Sequence, residues 1–160
     1  MVNKRSLIKK ITAKLAEELE LYFRAAQYAR AEATHEQNKA EHKYDTRGLE
    51  ASYLARGQSR QAAELEAAIA DFSKLDPRPF APSEPIALGA LVELEHAGEK
   101  SLYFIGPRAG GTEVIHDKKE ILVITPQSPL GGQLMGRKQG DSLSLDLGGA
   151  KQAASILAVS

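Results

Sequence analysis

The sequence predicts an α+β protein: an N-terminal antiparallel helical coiled-coil hairpin at residues 1–76, followed by a small antiparallel sheet domain with one helix at residues 86–160. Two observations support this division. The first 76 residues contain no proline and are rich in Ala, Glu, Lys, Arg and Leu, which favour helices. All seven prolines, and eleven of the thirteen glycines, come later, among short apolar runs typical of strands.

Two apolar stripes define the helical half, because residues three or four apart lie on one face of a helix. The first stripe comprises Ile8, Ile11, Leu15, Leu19, Tyr22, Ala26, Ala29 and Ala33. The second comprises Leu54, Gln58, Ala62, Leu65, Ile69 and Phe72. Two stripes separated by one break predict an antiparallel hairpin that turns within His42–Leu49. At about 1.5 Å per residue, a first helix from residue 6 to residue 41 is ~50 Å long.

The second half begins after a proline-rich stretch, DPRPFAPSEP. Its prolines stop any helix and predict a fairly stiff linker between two domains at residues 77–85. The predicted strands are Ile86–Glu95, Ser101–Gly106, Glu120–Thr125, Ser142–Leu147 and Gln152–Val159. Between the third and fourth strands, Ser128 is expected to cap a short helix that begins at Pro129 and ends at Gly136.

Composition excludes several classes of function. No run of eighteen apolar residues occurs, so neither a membrane span nor a membrane partner is expected. The N-terminus lacks the apolar stretch of a signal peptide, which favours a cytoplasmic location. The chain has no cysteine, which rules out thiolate catalysis and cysteine-bound metals. Its 21 basic residues balance 21 acidic ones, so no overall positive field attracts nucleic acid.

No self-contained active site is visible in the sequence. The four histidines, His35, His42, His96 and His116, are interpreted as solvated side chains. The sequence contains no serine-centred elbow, Walker loop or dinucleotide fingerprint, and the glycine-rich GPRAGG is interpreted as a plain loop between strands. The chain is therefore not expected to be an enzyme or to hold a cofactor of its own.

The break between the two helices, HKYDTRGLEAS, carries acids that could do chemistry. Asp45 and Glu50 are five residues apart and converge only if the chain turns between them. Carboxylates at the tip of a projecting hairpin are ligands that suit Mg²⁺. The other interpretation is purely structural: Asp45 caps the second helix, and Glu50 pairs with Arg47 in solvent. The residues alone leave both interpretations open.

The stretch ITPQSPLGGQLMGRKQGDSLSL resembles the C-terminal signature of the bacterial Gre-type transcription elongation factors, GreA and GreB. The matching positions are Ser128, Pro129, Leu130, Gly131, Leu134, Gly136, Arg137, Gly140 and Asp141. LGALVEL and YFIGP resemble the first strands of that family. The order of a helical hairpin and a small α+β domain is similar over the whole chain.

The resemblance implies an FKBP-like second domain that is not an isomerase. It implies docking at the rim of the secondary channel of RNA polymerase, here through Ser128, Pro129, Leu130 and Gly131. The hairpin would enter the channel as a monomer and bring its tip acids to the catalytic Mg²⁺ of the polymerase, near the nascent RNA. The acids would help the polymerase to hydrolyse a backtracked transcript. Asp45 and Glu50 are then the catalytic candidates, and their only metal would be that Mg²⁺.

The tip departs from the family pattern, in which two acids are three residues apart. In YDTRGLEASY, Thr46 and Leu49 occupy the usual acid positions, and Asp45 and Glu50 are each displaced by one residue. On a helix such a displacement turns a side chain by about 100°. A channel-binding regulator that does not stimulate cleavage is therefore an alternative, and so is a coiled-coil interaction module that dimerises through the hairpin. A self-sufficient hydrolase is the weakest alternative, because no pair of nucleophile and base is visible.

Overall fold

The computed structural model describes residues 2–34, 47–147 and 149–160, and it confirms the α+β class. Two long helices come first, α1 (Lys4–Thr34) and α2 (Arg47–Ser73). Six strands and one short helix follow: β1 (Leu91–His96), β2 (Glu99–Ile105), β3 (Glu113–His116), β4 (Lys119–Ile124), α3 (Pro129–Leu134), β5 (Ser142–Leu147) and β6 (Ala150–Val159). The connection between α1 and α2, where the hairpin is predicted to turn, lies outside the described residues.

The chain divides into two compact units. One consists of Met1–Thr12 and Ala70–Ser160, and the other of Ala13–Ile69. The start of α1 and the end of α2 thus belong to the unit that contains the sheet. The predicted stripes coincide with buried side chains in both helices: Ile8, Ile11 and Leu15 in α1, and Ala62 and Phe72 in α2.

Gly48 was predicted to lie in the break, but it is the second residue of α2. The first turn of a helix tolerates glycine, because the N–H groups of that turn have no partner within the helix in any case. Arg47 and Leu49 are helical as well, so the last three residues of the predicted turn range His42–Leu49 belong to α2.

The sheet is mixed, whereas the sequence predicts an antiparallel one. Its strand order is β3-β4-β2-β1-β6-β5, and β2 pairs with β4 in parallel from Leu102↔Ile121 to Ile105↔Ile124. The cause is β3, which the sequence analysis treats as loop. β3 has four residues and pairs with β4 in antiparallel orientation. The chain therefore reverses once more before β4, and β4 runs in the same direction as β2. Four residues are too few to show a strand period.

The core of this unit lies on the side of the sheet that faces α3. Val92, Leu94, Ile105 and Ile156 from the strands cluster there with Leu134 of α3, and all five side chains are buried.

Phe80 joins the same cluster and is 6% exposed. The proline-rich segment 77–85, predicted as a linker, therefore lies inside the unit that contains the sheet. The domain boundary drawn at this segment stays a prediction.

Lys4 fastens the first turn of α1 to this segment. Its Nζ donates to the carbonyl of Arg78 at 2.9 Å and lies 4.5 Å from the centre of the Phe80 ring. The Arg78 guanidinium also lies over that ring, at 4.1 Å, and contacts Glu84 at 2.8 Å. Burial, and then the nearby charge of Arg78, lower the pKa of Lys4 to about 8. Two cations thus share one aromatic ring.

Candidate functional site

The two tip acids were the predicted catalytic pair. Asp45 lies outside the described residues, and so do His35 and His42. Glu50 is the fourth residue of α2, and the structure does not describe its side chain. An acid in the first turn of a helix stabilises the positive end of the helix dipole. The assignment of Asp45 and Glu50 therefore stays a prediction.

The predicted docking residues lie at the start of α3, where Ser128 is the N-cap. Its backbone is extended, with φ −72° and ψ 156°. Its hydroxyl donates to the carbonyl of Thr125 at 2.7 Å and accepts the N–H of Gly131 at 3.0 Å. Pro129 follows at the first helical position, which needs no N–H. The predicted cap and helix start are confirmed.

Gly131 closes this turn because nothing larger fits. A Cβ at this position would lie 1.8 Å from the Thr125 carbonyl oxygen and 2.8 Å from the Ser128 hydroxyl. Gly132, the next residue, is different: its nearest neighbour would be the Pro126 carbonyl oxygen at 3.4 Å, an ordinary contact. The first glycine is thus required by the packing of the turn, and the second is not.

The end of α3 agrees with the prediction to within two residues. The helix ends at Leu134, and Gly136 has a φ of +84°, a conformation that favours glycine. The N–H of Gly136 donates to the carbonyl of Ile86 at 2.9 Å, and that of Ile86 to the carbonyl of Arg137 at 2.7 Å. This bridge holds the end of α3 beside the segment that leads into β1.

Arg137 donates hydrogen bonds to two carbonyl groups. Its Nε donates to the carbonyl of Gln133 at 2.7 Å, and its Nη1 to that of Ser142 at 2.9 Å. A cation at the C-terminus of a helix also complements the helix dipole. This side chain joins α3 to the edge strand β5.

The four docking candidates therefore have different surroundings. Ser128 and Gly131 build the turn, and Gly131 is buried. Leu130 is half-buried and packs against the core. Pro129 is exposed, and it is the candidate whose side chain is available to a partner. Leu88 was predicted to lie in a strand, but it precedes β1, in the segment bridged to the end of α3, and it is 44% exposed.

His116 is not solvated as predicted. It ends the edge strand β3 and is 4% exposed. Neither ring nitrogen has a hydrogen-bond partner among the described residues, and Nε2 lies 3.4 Å from the Asp117 carboxylate. His96 is only half-buried and contacts Gln152. In the described part of the chain, no group of three or more His, Asp or Glu side chains could hold a metal.

The loop GPRAGG between β2 and β3 contacts the end of α2. A Cβ on Gly106 would lie 2.7 Å from the Phe72 ring, which itself stacks on Phe104 with 6.4 Å between ring centres. Arg108 pairs with Asp71 at 2.6 Å. These contacts give Gly106 a packing role, in agreement with the interpretation as a plain loop. Among the described helices, none is both long enough and apolar enough to cross a membrane.

Comparison with known proteins gives matches among solved structures. The chain is similar to Gfh1 of Thermus aquaticus, at 27% identity over 94% of each chain with a TM-score of 0.41. It is similar to GreA factor homolog 1 (Gfh1) of Thermus thermophilus, at 26% identity over 93% of this chain and 94% of the other, with a TM-score of 0.37. The prokaryotic transcription elongation factor GreA/GreB from Nitrosomonas europaea matches at 20% identity over 59% of this chain and 78% of its own, with a TM-score of 0.38. No protein-family model and no curated protein matches the sequence.

Proposed function

We propose that this chain is a Gre-type transcription elongation factor that binds RNA polymerase and inserts its helical hairpin into the secondary channel. One observation carries the proposal. The signature SPLG folds into a closed turn, held by Ser128 and Gly131, that leaves Pro129 exposed at the start of α3. The sequence signature and this turn together support docking at the channel rim.

The chemistry of the exposed residue suits a docking contact. Proline has no backbone N–H and a fixed φ, so its burial against a partner costs little conformational entropy. The polar groups beside it, the Ser128 hydroxyl and the Gly131 N–H, are already bonded to each other. A partner could therefore cover Pro129 without leaving those polar groups unsatisfied.

The length of the helices suits insertion into a channel. The 31 residues of α1 extend ~46 Å at a rise of about 1.5 Å each. A hairpin built on such helices can carry its tip far into the polymerase while the sheet domain remains at the rim. The factor would act as a monomer in the cytoplasm, with the polymerase and the nascent RNA near the channel as its partners.

At the tip, Asp45 and Glu50 are the residues we propose to act on the polymerase. The factor would bring no cofactor, and the Mg²⁺ would belong to the polymerase active site. A carboxylate added there can position or deprotonate the attacking water. A second candidate function is that of a channel binder that does not stimulate cleavage. It is favoured by Thr46 and Leu49, which stand where the family pattern has its acids.

Polymerase binding is the test of this proposal. The purified chain is mixed with its cognate core polymerase, and affinity is measured for the wild type and for Pro129→Glu. We expect the substitution to weaken binding at least tenfold, since it places a charge in an apolar contact. Its melting temperature should stay within about 2 °C of the wild type, because surface changes have small effects.

Two results would contradict the proposal. If the wild type does not bind polymerase, the proposed function is wrong. If Pro129→Glu binds as well as the wild type, docking through α3 is wrong. Sedimentation of the free chain tests the interaction-module alternative, because a constitutive dimer through the hairpin would block entry into the channel.

A further inference from the structure

The strand β5 has a neighbour on one side only among the described strands, because it ends the sheet beside β6. It pairs with β6 over its whole length without a break in register. It contains no proline and no lysine, which often protect an edge from further pairing, and its one charged residue is Asp146. The opposite edge strand, β3, has only four residues, and Lys10 donates to its Ile115 carbonyl at 2.9 Å. The edge at β5 is therefore the longer and the less protected of the two.

Three residues of β5 direct their backbone groups away from β6: Ser142, Ser144 and Asp146. The N–H of Ile156 in β6 donates to the carbonyl of Asp141 at 2.9 Å, so position 141 faces β6. Successive residues direct their N–H and C=O groups to opposite sides of a strand, so the even-numbered positions of β5 face outward. The Ser142 carbonyl agrees with this assignment, because it accepts a bond from Arg137, which is not part of β6.

The side chains of β5 alternate between an exposed row and a row that faces the core. Ser142, Ser144 and Asp146 are exposed. Leu143 is buried, and the half-buried Leu145 packs against the core cluster. A further strand at this edge would extend both rows, because side chains on the same face of two paired strands lie beside each other.

A second copy of β5 complements this edge in one antiparallel register. When Ser144 lies opposite Ser144 of the second copy, Ser142 lies opposite Asp146, so every outward residue of the strand meets another. The serine hydroxyl can donate to the facing carboxylate, and Leu143 lies opposite Leu145 on the core face. A register shifted by four residues would instead place Asp146 opposite Asp146, and like charges at that distance repel.

We propose that the chain self-associates by antiparallel pairing of two β5 strands around a twofold axis at Ser144. The outward residues would form about six backbone hydrogen bonds, two for each facing pair. The Ser142 carbonyl can keep its bond from Arg137 and accept another, because it has two lone pairs.

The dimer should be weak and should concern the free chain. One strand edge buries much less surface than a stable interface does, so we expect a Kd on the order of 100 µM. This inference goes beyond polymerase binding and does not depend on it. The monomer remains the form that binds polymerase in the function proposed above.

Disulfide formation tests the register, because the chain has no cysteine of its own. Ser144→Cys would place two thiols across the axis with Cα atoms about 5.5 Å apart, a distance that a disulfide spans. We expect this variant to form a covalent dimer under mild oxidation, measured on a non-reducing gel. Ser142→Cys should not, because its two copies would be more than ~13 Å apart. It should cross-link to Asp146→Cys when those two variants are mixed. Ser101→Cys, at an exposed position in β2, gives the background rate.

Charge reversal across the axis tests the energetics, by sedimentation equilibrium of the full chain. Ser144→Asp and Ser144→Lys each place like charges opposite each other, so each should weaken self-association about fivefold or more. An equimolar mixture of the two variants pairs opposite charges and should associate at least as tightly as the wild type. The same two substitutions at Ser101 are the control and should leave self-association unchanged.

Four results would overturn the pairing. The first is a wild type that stays monomeric up to about 1 mM, ten times the expected Kd. The second is Ser144→Cys cross-linking no faster than Ser101→Cys, and the third is Ser142→Cys cross-linking to itself as fast as Ser144→Cys does. The fourth is a dimer that both charged variants at Ser144 leave intact, which would lie on another surface. Polymerase binding is measured separately, so none of these results would contradict the proposed function.

Discussion

The turn at the start of α3 (Ser128–Gly131) and the shaft of α1 (residues 21–28) use their residues in opposite ways. In the turn, the Ser128 hydroxyl makes two hydrogen bonds and Gly131 has no room for a methyl group, so the fold itself requires these residues. In the shaft, Leu21 and Tyr28 are mostly exposed, so the fold of the described chain does not demand them. A sequence signature can therefore report a way of folding, and we expect contacts with partners at residues that folding leaves unused.

Gly131→Ala is the strongest test of this comparison. A Cβ would lie 1.8 Å from the Thr125 carbonyl oxygen, so the turn must open or α3 must move. We expect the free energy of unfolding to fall by about 3 kcal/mol or more, as in other overpacked sites. Urea denaturation measures it.

Gly132→Ala is its matched control. The space there accepts a methyl group, and alanine favours a helix by up to ~1 kcal/mol over glycine, so stability should be unchanged or slightly higher. Similar losses in the two variants would mean that the turn is not closed around Gly131.

Asp45→Asn tests a residue that we propose to serve the partner rather than the fold. The substitution keeps the shape and removes the charge, so cleavage of a backtracked transcript by the polymerase should slow at least tenfold. Polymerase affinity and thermal stability should not change. Glu50→Gln should slow cleavage less, because its place in α2 can direct it away from the metal.

The respaced variant separates the two candidate functions. Thr46→Asp with Leu49→Glu restores the spacing of the family acids and should raise cleavage if their displacement is limiting. Cleavage by this variant alone would identify the natural protein as a channel binder that does not stimulate cleavage. If Asp45→Asn cleaves as fast as the wild type, the assignment of Asp45 is wrong.

Ser128→Ala has a smaller expected effect. The substitution removes the N-cap bond to the Gly131 N–H and the bond to the Thr125 carbonyl. Losing an N-cap lowers the free energy of unfolding by about 1 kcal/mol. Ser128→Asp, which can still accept the Gly131 N–H, should recover part of the loss. A loss below that of Ser144→Ala, an exposed control in β5, would contradict the role of Ser128 as a cap.

The sequence predicts local structure well here and distant pairings poorly. Ser128, Pro129 and Gly136 determine α3 through capping and backbone preference, which act within a few residues, so both ends were predicted closely. The parallel pairing of β2 with β4 depends on β3, whose four residues carry no period.

The same difference between local and distant interactions applies to the residues singled out as candidate sites. Burial of His116 requires neighbours that sequence spacing does not identify, so a solvated loop was predicted. The contact between Lys4 and Arg78 spans 74 residues, and a lysine near the start of a helix looks like ordinary surface. The turn at Ser128–Gly131 could be found because it is a local motif. The exposure of Leu21, Phe23 and Tyr28 on α1 could not be predicted in the same way, because it depends on which neighbours pack against the helix.

Lys4, in the first turn of α1, should contribute to folding as the residues of the α3 turn do. A small change of the free energy of unfolding with pH should show this. The pKa of Lys4 is about 8 in the folded protein, against an ordinary value of 10.5. Between these two pH values the unfolded chain binds more protons than the folded one, so stability should rise as pH increases from 8 to 10.5. Below pH 8 both states hold the proton, and a constant penalty remains. We expect a rise of only about 0.5 kcal/mol, because water and salt screen charges beside the exposed Arg78 and Glu84.

Other groups titrate in the same range, so the measurement is the difference between wild type and Lys4→Met in urea denaturation at each pH, with Lys9→Met as an exposed-lysine control on the same helix. The free energy of unfolding of the wild type minus that of Lys4→Met should rise from pH 8 to pH 10.5, and it should rise by more than the same difference for Lys9→Met. If neither difference changes with pH, Lys4 keeps its ordinary proton affinity in the folded protein and the expected effect of its burial is wrong.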